Sequence, residues 1–341
     1  MPSSALRAGS RVSAIIPAYN RAALLDETLH SLMAQRVLPH EVIVVDDGSV
    51  EDIQSVSARF GDRVRYVRAE NGGAPTARNL GASLASGDWL WFCDSDDLWH
   101  PEYLGRALGL VAAAPELGFI FDNFQLVRGG IWEAPTKFET APEGFWQQIP
   151  GTATEGGRIL IQPLYASLLR FQPVFHSTLL VSRRLFDSVG GYDARFGRLG
   201  SEDFEFVLRC AAHAPAAMIE DALVGIRRHR GNYSASQLRN LLGEIAILRH
   251  ARVHHGAPAA AAASVIAEEL HLRSRQALEL AFAAGDYAQV LALALARTDM
   301  DPGMRLKVML ASWPRHLRRL AVGLAVHLAA LRPRPAMRRA P

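Results

Sequence analysis

Apolar and amphipathic segments alternate along the chain from Val12 onward. "VSAIIPAY" is a β-branched run stopped by a proline and a turn. In "RAALLDETLHSLMAQ", Leu24, Leu25, Thr28, Leu29, Leu32 and Met33 recur at helical spacing, which predicts a helix with one buried face. "EVIVVDDGS" reads as a second strand, and its near-continuous Val/Ile character suits a parallel sheet covered on both faces. "DIQSVSARFG" predicts a short helix, "VRYVRA" a third strand, "GAPTARNLGASLAS" a helix and "DWLWFCD" a fourth strand. Four alternations within about a hundred residues predict βαβ units, and hence an α/β fold with a doubly wound sheet flanked by helices.

Beyond residue 117 the pattern is less regular. "GFIFDNFQLV" predicts another strand, and residues 129–160, rich in Gly, Pro and Trp, read as a long loop. "FHSTLLVSRRLFDSVGGYDARF" implies a strand, a short helix and a Gly190-Gly191 turn. "SEDFEFVLRCAAHA" predicts a helix with Ser201 as N-cap and acids in its first turn, and "AMIEDALVGIRRHR" reads as strand and turn. From Ser236 the chain is Ala- and Leu-rich with helical periodicity, including a helical hairpin turning at Gly285-Asp286. This places a domain boundary near residue 236, between an α/β domain over 1–235 and a helical region over 236–341.

Composition narrows the class. Of 341 residues, 49% are hydrophobic and 21% charged, a globular balance and not a disordered one. Cys93 and Cys210 are too few for a disulfide framework and read as core thiols of a reducing compartment. "MPSSALRAGSRV" at the amino terminus lacks an apolar signal-peptide core, so the expected location is cytoplasmic. The net charge of +3 conceals an asymmetry, because no acid follows Asp301 while nine Arg and Lys residues do. Residues 1–301 therefore carry −6. The longest charge-free run of that tail, Leu320 to Leu331, is too short to span a bilayer, which needs ~20 apolar residues. It suits a peripheral position on the anionic inner membrane face. The basic residues are not interleaved with an aromatic platform, so no nucleic-acid partner is expected. Assembly into a homo-oligomer is left open.

Polar residues follow the apolar runs at three places: Pro17 to Asn20, Asp46 to Ser49, and Asp94 to Asp97. Ligands of doubly wound sheets bind at the carboxyl ends of the strands, so these stretches are expected to share one crevice. The third is the most demanding, since three carboxylates within four residues repel one another unless a cation sits among them. Hard divalent cations such as Mg²⁺ and Mn²⁺ prefer carboxylate oxygens and substrate phosphates. The plain alternative is an acidic turn capping a helix from Trp99.

"VSAIIPAYNRAALLDETLHSLMAQ", "EVIVVDDGS", "NGGAPTARNLGASLASGDWLWFCDSDD" and "GGYDARFGRLGSEDFEFVLR" occur in that order. Together they resemble glycosyltransferase family 2, inverting enzymes of the GT-A fold that use nucleotide-sugar donors, over roughly residues 11–235. The resemblance implies a Rossmann-like GT-A catalytic domain with a mixed sheet, followed by an α-helical extension. It implies a nucleoside-diphosphate sugar as donor, UDP-linked, and a saccharide or lipid-linked acceptor used in surface polysaccharide or glycoconjugate synthesis. Asp94-Ser95-Asp96 resembles the family's DxD motif, with Asp96 as direct ligand of Mn²⁺ or Mg²⁺ and Asp94 nearer the ribose or the metal's water shell. Pro17, Ala18, Tyr19, Asn20, Asp47, Asn71 and Arg78 fall on donor-binding positions, with Asp47 accepting from the imide N–H of the base.

Matching the family's "ED" pair makes Asp203 the base that deprotonates the acceptor hydroxyl, with Glu202 as its neighbour. His229, 26 residues after Asp203 in "RRHRGNYS", is a third metal ligand candidate, and Arg227, Arg228 and Arg230 around it suit a diphosphate. Arg78 reads equally as a helix-surface charge, His176 as a packed core residue, and Trp99 and Tyr103 as core or as the floor of a sugar pocket. Two other functions compete. A nucleotidyltransferase of similar architecture would carry a Gly-rich basic loop after the first strand, where this chain has "PAYNRAALL". A non-catalytic nucleotide-sugar-binding relative would lack one of the acids, and all are present.

Overall fold

The computed structural model describes residues 10–160, 164–197, 199–229, 236–295, 300–314 and 317. The first half follows the hydrophobic pattern closely. The order is β1 (Val12–Ala18), α1 (Ala22–Met33), β2 (Glu41–Asp46), α2 (Ile53–Ala58), β3 (Val64–Arg68), α3 (Ala74–Leu84) and β4 (Trp89–Phe92). Next come β5 (Leu98–Trp99), α4 (Tyr103–Ala113), β6 (Phe119–Arg128), β7 (Ile131–Glu133), β8 (Gly151–Thr154), β9 (Gly157–Leu160) and α5 (Tyr165–Arg170). The remainder is β10 (Leu179–Ser182), α6 (Arg183–Val189), α7 (Glu202–His213), β11 (Ala216–Arg227), α8 (Gln237–His254), α9 (Gly256–Ala261), α10 (Ala263–Ala283), α11 (Tyr287–Leu295) and α12 (Pro302–Ser312).

The strands form one mixed sheet in the order β3-β2-β1-β4-β10-β6-β11-β9-β8. β1 pairs in parallel with both β2 and β4, so the winding reverses between β1 and β4 and opens a crevice beyond their carboxyl ends. β10 runs antiparallel between β4 and β6, which brings its amino end to the same rim. β2 shows why the strands read as continuous apolar runs. Val42 and Val44 face the main core, while Ile43 and Val45 pack with Ala77 on the other face. Gly81 lets α3 approach β1, because a Cβ there would collide with Ile15.

Three local expectations change. Residues 129–160 contain β7 and the β8–β9 hairpin, where a structureless loop was expected. Gly- and Thr-rich strands at a sheet edge lack the apolar alternation that marks a buried strand. Trp99 belongs to a two-residue strand on β11 instead of opening a helix, and α4 begins at Tyr103. Trp99 and Tyr103 are both buried against Trp91, so they are core and not the floor of a pocket.

The chain divides into two compact units, one ending at Glu269 and one beginning at Leu270, later than the expected boundary near 236. The reason is that α8 is packed onto the first unit. Gly243 sits against the backbone carbonyls of Leu199 and Gly200, and His255 reaches Tyr165. In the second unit the chain turns at Gly285, with φ +74°, between α10 and α11. Asp301 caps α12 by accepting from the Met304 N–H at 2.9 Å. Among the described residues no helix is long and apolar enough to cross a membrane. The run Leu320 to Leu331, Arg230 and most of the basic tail lie outside the described residues.

Candidate active site

β4 is buried throughout and delivers Asp94–Asp97 abruptly to the crevice. Carboxylate oxygens of Asp94, Asp96 and Asp97 lie within 4.8 Å of one another. Each carboxylate has its own partner. Asp94 Oδ1 accepts from Arg78 Nη2 at 2.6 Å. Asp96 Oδ2 accepts from Arg21 Nη1 at 2.6 Å and lies 2.9 Å from His229 Nε2. Asp97 bonds the Ser177 hydroxyl at 2.5 Å and accepts from the Arg227 backbone N–H at 2.9 Å. Asp97 therefore ties the turn before β10 and the end of β11 to the end of β4, and none of its described bonds caps a helix. Burial and the charges of Asp96 and Asp94 push its carboxyl well up, against the bonds from Ser177 and Arg227. Burial also opposes ionisation of Asp94, but the Arg78 guanidinium outweighs it and holds Asp94 below the usual carboxylate range.

The second acidic group opens α7. Ser201 is not a side-chain cap; it sits in the left-handed region at φ 68°, a strained conformation that marks functional sites. Glu202 Oε1 accepts from Arg78 Nη1 at 3.1 Å and lies 3.2 Å from His176 Nε2. Burial favours the neutral acid, yet the hydrogen bond from His176 and the charges of His176 and Arg78 bring Glu202 down to about 2. Asp203, next to it, goes the other way. Burial and the Glu202 charge raise it, only partly offset by His176, the Phe204 N–H and Arg78.

Arg78 thus joins the two groups. Its side chain is 3% exposed, which rules out the surface-charge reading, and its guanidinium lies 5.4 Å from the Tyr192 ring centroid. Its burial would disfavour the charge, but Asp94 and Glu202 raise its pKa instead.

The first two strand ends form the other side of the crevice. Pro17 and Ala18 end β1, Tyr19 is half exposed, and Asn20 has φ 50°. Asn20 Oδ1 accepts from the Val50 N–H at 2.8 Å, linking the loops after β1 and β2. Asp46 is held by Tyr66, Arg68 and the Ser49 N–H. Asp47 accepts from the Gly72 and Gly73 N–H groups at 2.8 and 2.9 Å, and Asn71 Nδ2 donates to the Asp47 carbonyl at 2.9 Å. Each Asp47 oxygen keeps a second lone pair after these bonds. Tyr19, Asn20, Arg21, Glu51 and His229 line a cleft of about 480 Å³ beside Asp96. Ser95 is buried between Asp94 and Asp96.

The profile of glycosyl transferase family 2 matches residues 13–166, which contain β1 from its second residue, β2 through β9 and the Asp94–Asp97 cluster. Over these residues the chain is similar to glycosyl transferase family 2. An uncharacterized glycosyltransferase of Haemophilus influenzae is 32% identical over 202 residues, 58% of this chain and 61% of its own length. Validoxylamine A glucosyltransferase of Streptomyces hygroscopicus subsp. limoneus is 32% identical over 260 residues, 67% of this chain and 54% of its own length. The chain therefore spans less than two thirds of these relatives. Among solved structures, S. aureus TarS 1–349 in complex with UDP-GlcNAc superposes with a TM-score of 0.61 at 18% identity, over 91% of this chain and 87% of that one. That likeness shows a shared GT-A fold.

Several residues around the crevice have contacts that the sequence reading did not give them, Arg227 among them, which was expected to face a diphosphate. His176 is no bland core residue, since it bonds Glu202 and, at 3.2 Å, the Tyr192 hydroxyl. Arg21 and Ser177 contact the Asp cluster directly. Arg227 is 8% exposed and its guanidinium bonds Asp96, Glu27, Leu24 and Thr28, fastening α1 under the cluster. Only the position of His176 and Ser177 just before an apolar strand hinted at this. The donor set of the cluster fits a divalent cation. Two carboxylates, Asp94 and Asp96, and the His229 imidazole are hard-to-borderline donors, and they lie beside Asp97, which burial and the charges of Asp96 and Asp94 force upward.

Proposed function

We propose that the chain transfers a sugar from a nucleoside-diphosphate sugar, a UDP-sugar, to a hydroxyl of a saccharide or lipid-linked acceptor, with inversion at the anomeric carbon. Glycoconjugate or surface polysaccharide synthesis is the setting that fits such an acceptor. The observation that carries the proposal is the linkage through Arg78 of a strand-end carboxylate cluster to the Glu202-Asp203 pair. One group suits a donor diphosphate and the other an acceptor proton. The families of names agree, since TarS binds UDP-GlcNAc and the Streptomyces relative is a glucosyltransferase.

In this reading Asp203 takes the acceptor proton. Its raised affinity for a proton suits a base whose partner alcohol is deprotonated late in the displacement. Glu202, kept ionised by His176 and Arg78, holds the start of α7 and adds to the field that raises Asp203. Asp96, Asp94 and His229 would hold Mg²⁺ or Mn²⁺, which when bound neutralises the diphosphate and stabilises the leaving group. Tyr19, Asn20, Asp47 and Asn71 would receive the nucleoside, with the loops after β1 and β2 held in place by the Asn20 and Asp47 bonds.

Thermal-shift screening of nucleoside diphosphates and nucleotide sugars, with and without Mn²⁺, tests the proposal. Stabilisation by uridine nucleotides that requires the metal is expected. Failure of every nucleotide to stabilise the protein would overturn it.

A further inference from the structure

A second set of ligating groups lies away from the crevice, where α7 meets the end of α8. Glu205, His250 and His255 each offer a ligand atom within 4.8 Å of the others. We propose that these three residues bind a borderline transition-metal ion of the Zn²⁺ class, separate from the Asp94–Asp97 cluster. The decisive group is His255. Its side chain is only 3% exposed, and its Nε2 has no hydrogen-bond partner although it is buried. A buried polar atom without a partner costs free energy that native structures rarely leave uncompensated.

The other ring nitrogen explains the orientation. His255 Nδ1 is 2.9 Å from the Tyr165 hydroxyl. With the proton on Nδ1 donated to that oxygen, Nε2 presents a lone pair toward Glu205 Oε1, 3.7 Å away. Two acceptors then face each other. A proton between them does not close the gap, since 3.7 Å exceeds hydrogen-bond reach. A metal does, because two ligands at about 2.1 Å in a tetrahedral Zn²⁺ site are themselves about 3.4 Å apart.

His250 sits one helical turn earlier, its ring steadied by Phe196 at 5.2 Å and His254 at 4.3 Å between centroids. Glu205 is oriented by Arg209, which donates from Nε and Nη2 at 2.6 Å each. A hydroxyl on the ligating histidine and a donor on the ligating carboxylate are the supports a metal's outer shell requires. The Arg209 charge opposes the cation, so the site holds its ion less tightly than an all-thiolate one. Two imidazoles and one carboxylate select Zn²⁺, Co²⁺ or Ni²⁺ over Mg²⁺, the reverse of the carboxylate-rich crevice. Glu205 lies two residues after Asp203, so the ion would fasten α8 to the helix that starts with Glu202-Asp203.

The test is Zn²⁺ binding by the full chain, measured by equilibrium dialysis in excess Mg²⁺. One retained equivalent is expected, with a rise in melting temperature. His250→Ala and His255→Ala should each weaken retention by at least about tenfold, and Tyr165→Phe by about 10- to 100-fold, the usual effect of losing an outer-shell partner. Asp96→Asn should leave retention unchanged. Should the histidine variants fail to fold, Co²⁺ added to the unmodified protein in Mg²⁺ still decides. Intense tetrahedral ligand-field absorption supports the site, and its absence overturns it. Loss of Zn²⁺ in Asp96→Asn with retention in His255→Ala would also overturn it.

Discussion

After β4, Asp94 and Asp97 lie three residues apart and differ in their hold on a proton; at the start of α7, Glu202 and Asp203 are adjacent and differ in the same way. In both places the acid bonded to Arg78 is held ionised, and the acid without that bond is raised by burial and by its ionised neighbour. The outcomes differ because of what else faces each raised acid. Asp97 is enclosed by Ser177 and Arg227 and becomes a structural pin, whereas among the described residues Asp203 accepts the neighbouring Phe204 N–H on one oxygen, and the proposed reaction uses the other for the acceptor hydroxyl. Residue type alone does not assign a role to a carboxylate; the neighbouring cation and the remaining lone pair do.

The comparison can be broken at four points. Asp203→Asn should lower kcat by about 10²- to 10⁴-fold while nucleotide binding persists; unchanged turnover in a sugar-transfer assay would remove Asp203 as base. Arg78→Gln should cost about 3–5 kcal/mol in urea unfolding, because Asp94 and Glu202 would be left as poorly compensated buried charges. A loss under about 1 kcal/mol would show that Arg78 does not join the two groups.

Glu202→Gln should move the acidic limb of kcat/KM to lower pH. Removing the negative neighbour favours ionised Asp203, so the base stays active further into acid. A limb that stays put or moves up contradicts the pairing. The smallest effect belongs to Asp97→Asn, expected to change stability at mildly acidic pH by no more than about 0.5 kcal/mol. An amide can keep both bonds of a protonated acid. Because the folded-state pKa of Asp97 is raised, its contribution is full in acid and is lost as pH rises. The asparagine variant should therefore gain on the wild type toward alkaline pH, and unfolding curves at two pH values would detect this.

Much of this was legible in residues alone. The β-branched runs, the Asp-Gly turn after β2 and the abrupt acids after β4 specify strands and their ends locally, so the crevice follows from the alternation of elements. The edge hairpin β8–β9 did not follow, since an edge strand needs no apolar alternation. The position of α8 was equally hidden. Its buried residues Leu241, Ile245 and Leu248 read as a helix, but nothing in them says which surface they cover.

The chain's own pattern determined the α/β sheet, the strand-end acids and the Glu202-Asp203 helix start, because each depends on spacing within one segment. Only the tertiary structure decided that Arg78 is buried between two acidic groups 108 residues apart in sequence, from Asp94 to Glu202. The same holds for His176 beside Glu202 and His255 beside Glu205. Burial and charge coupling act through space over a few ångströms, so the proton affinity of each acid is a property of its folded neighbours and not of its place along the chain.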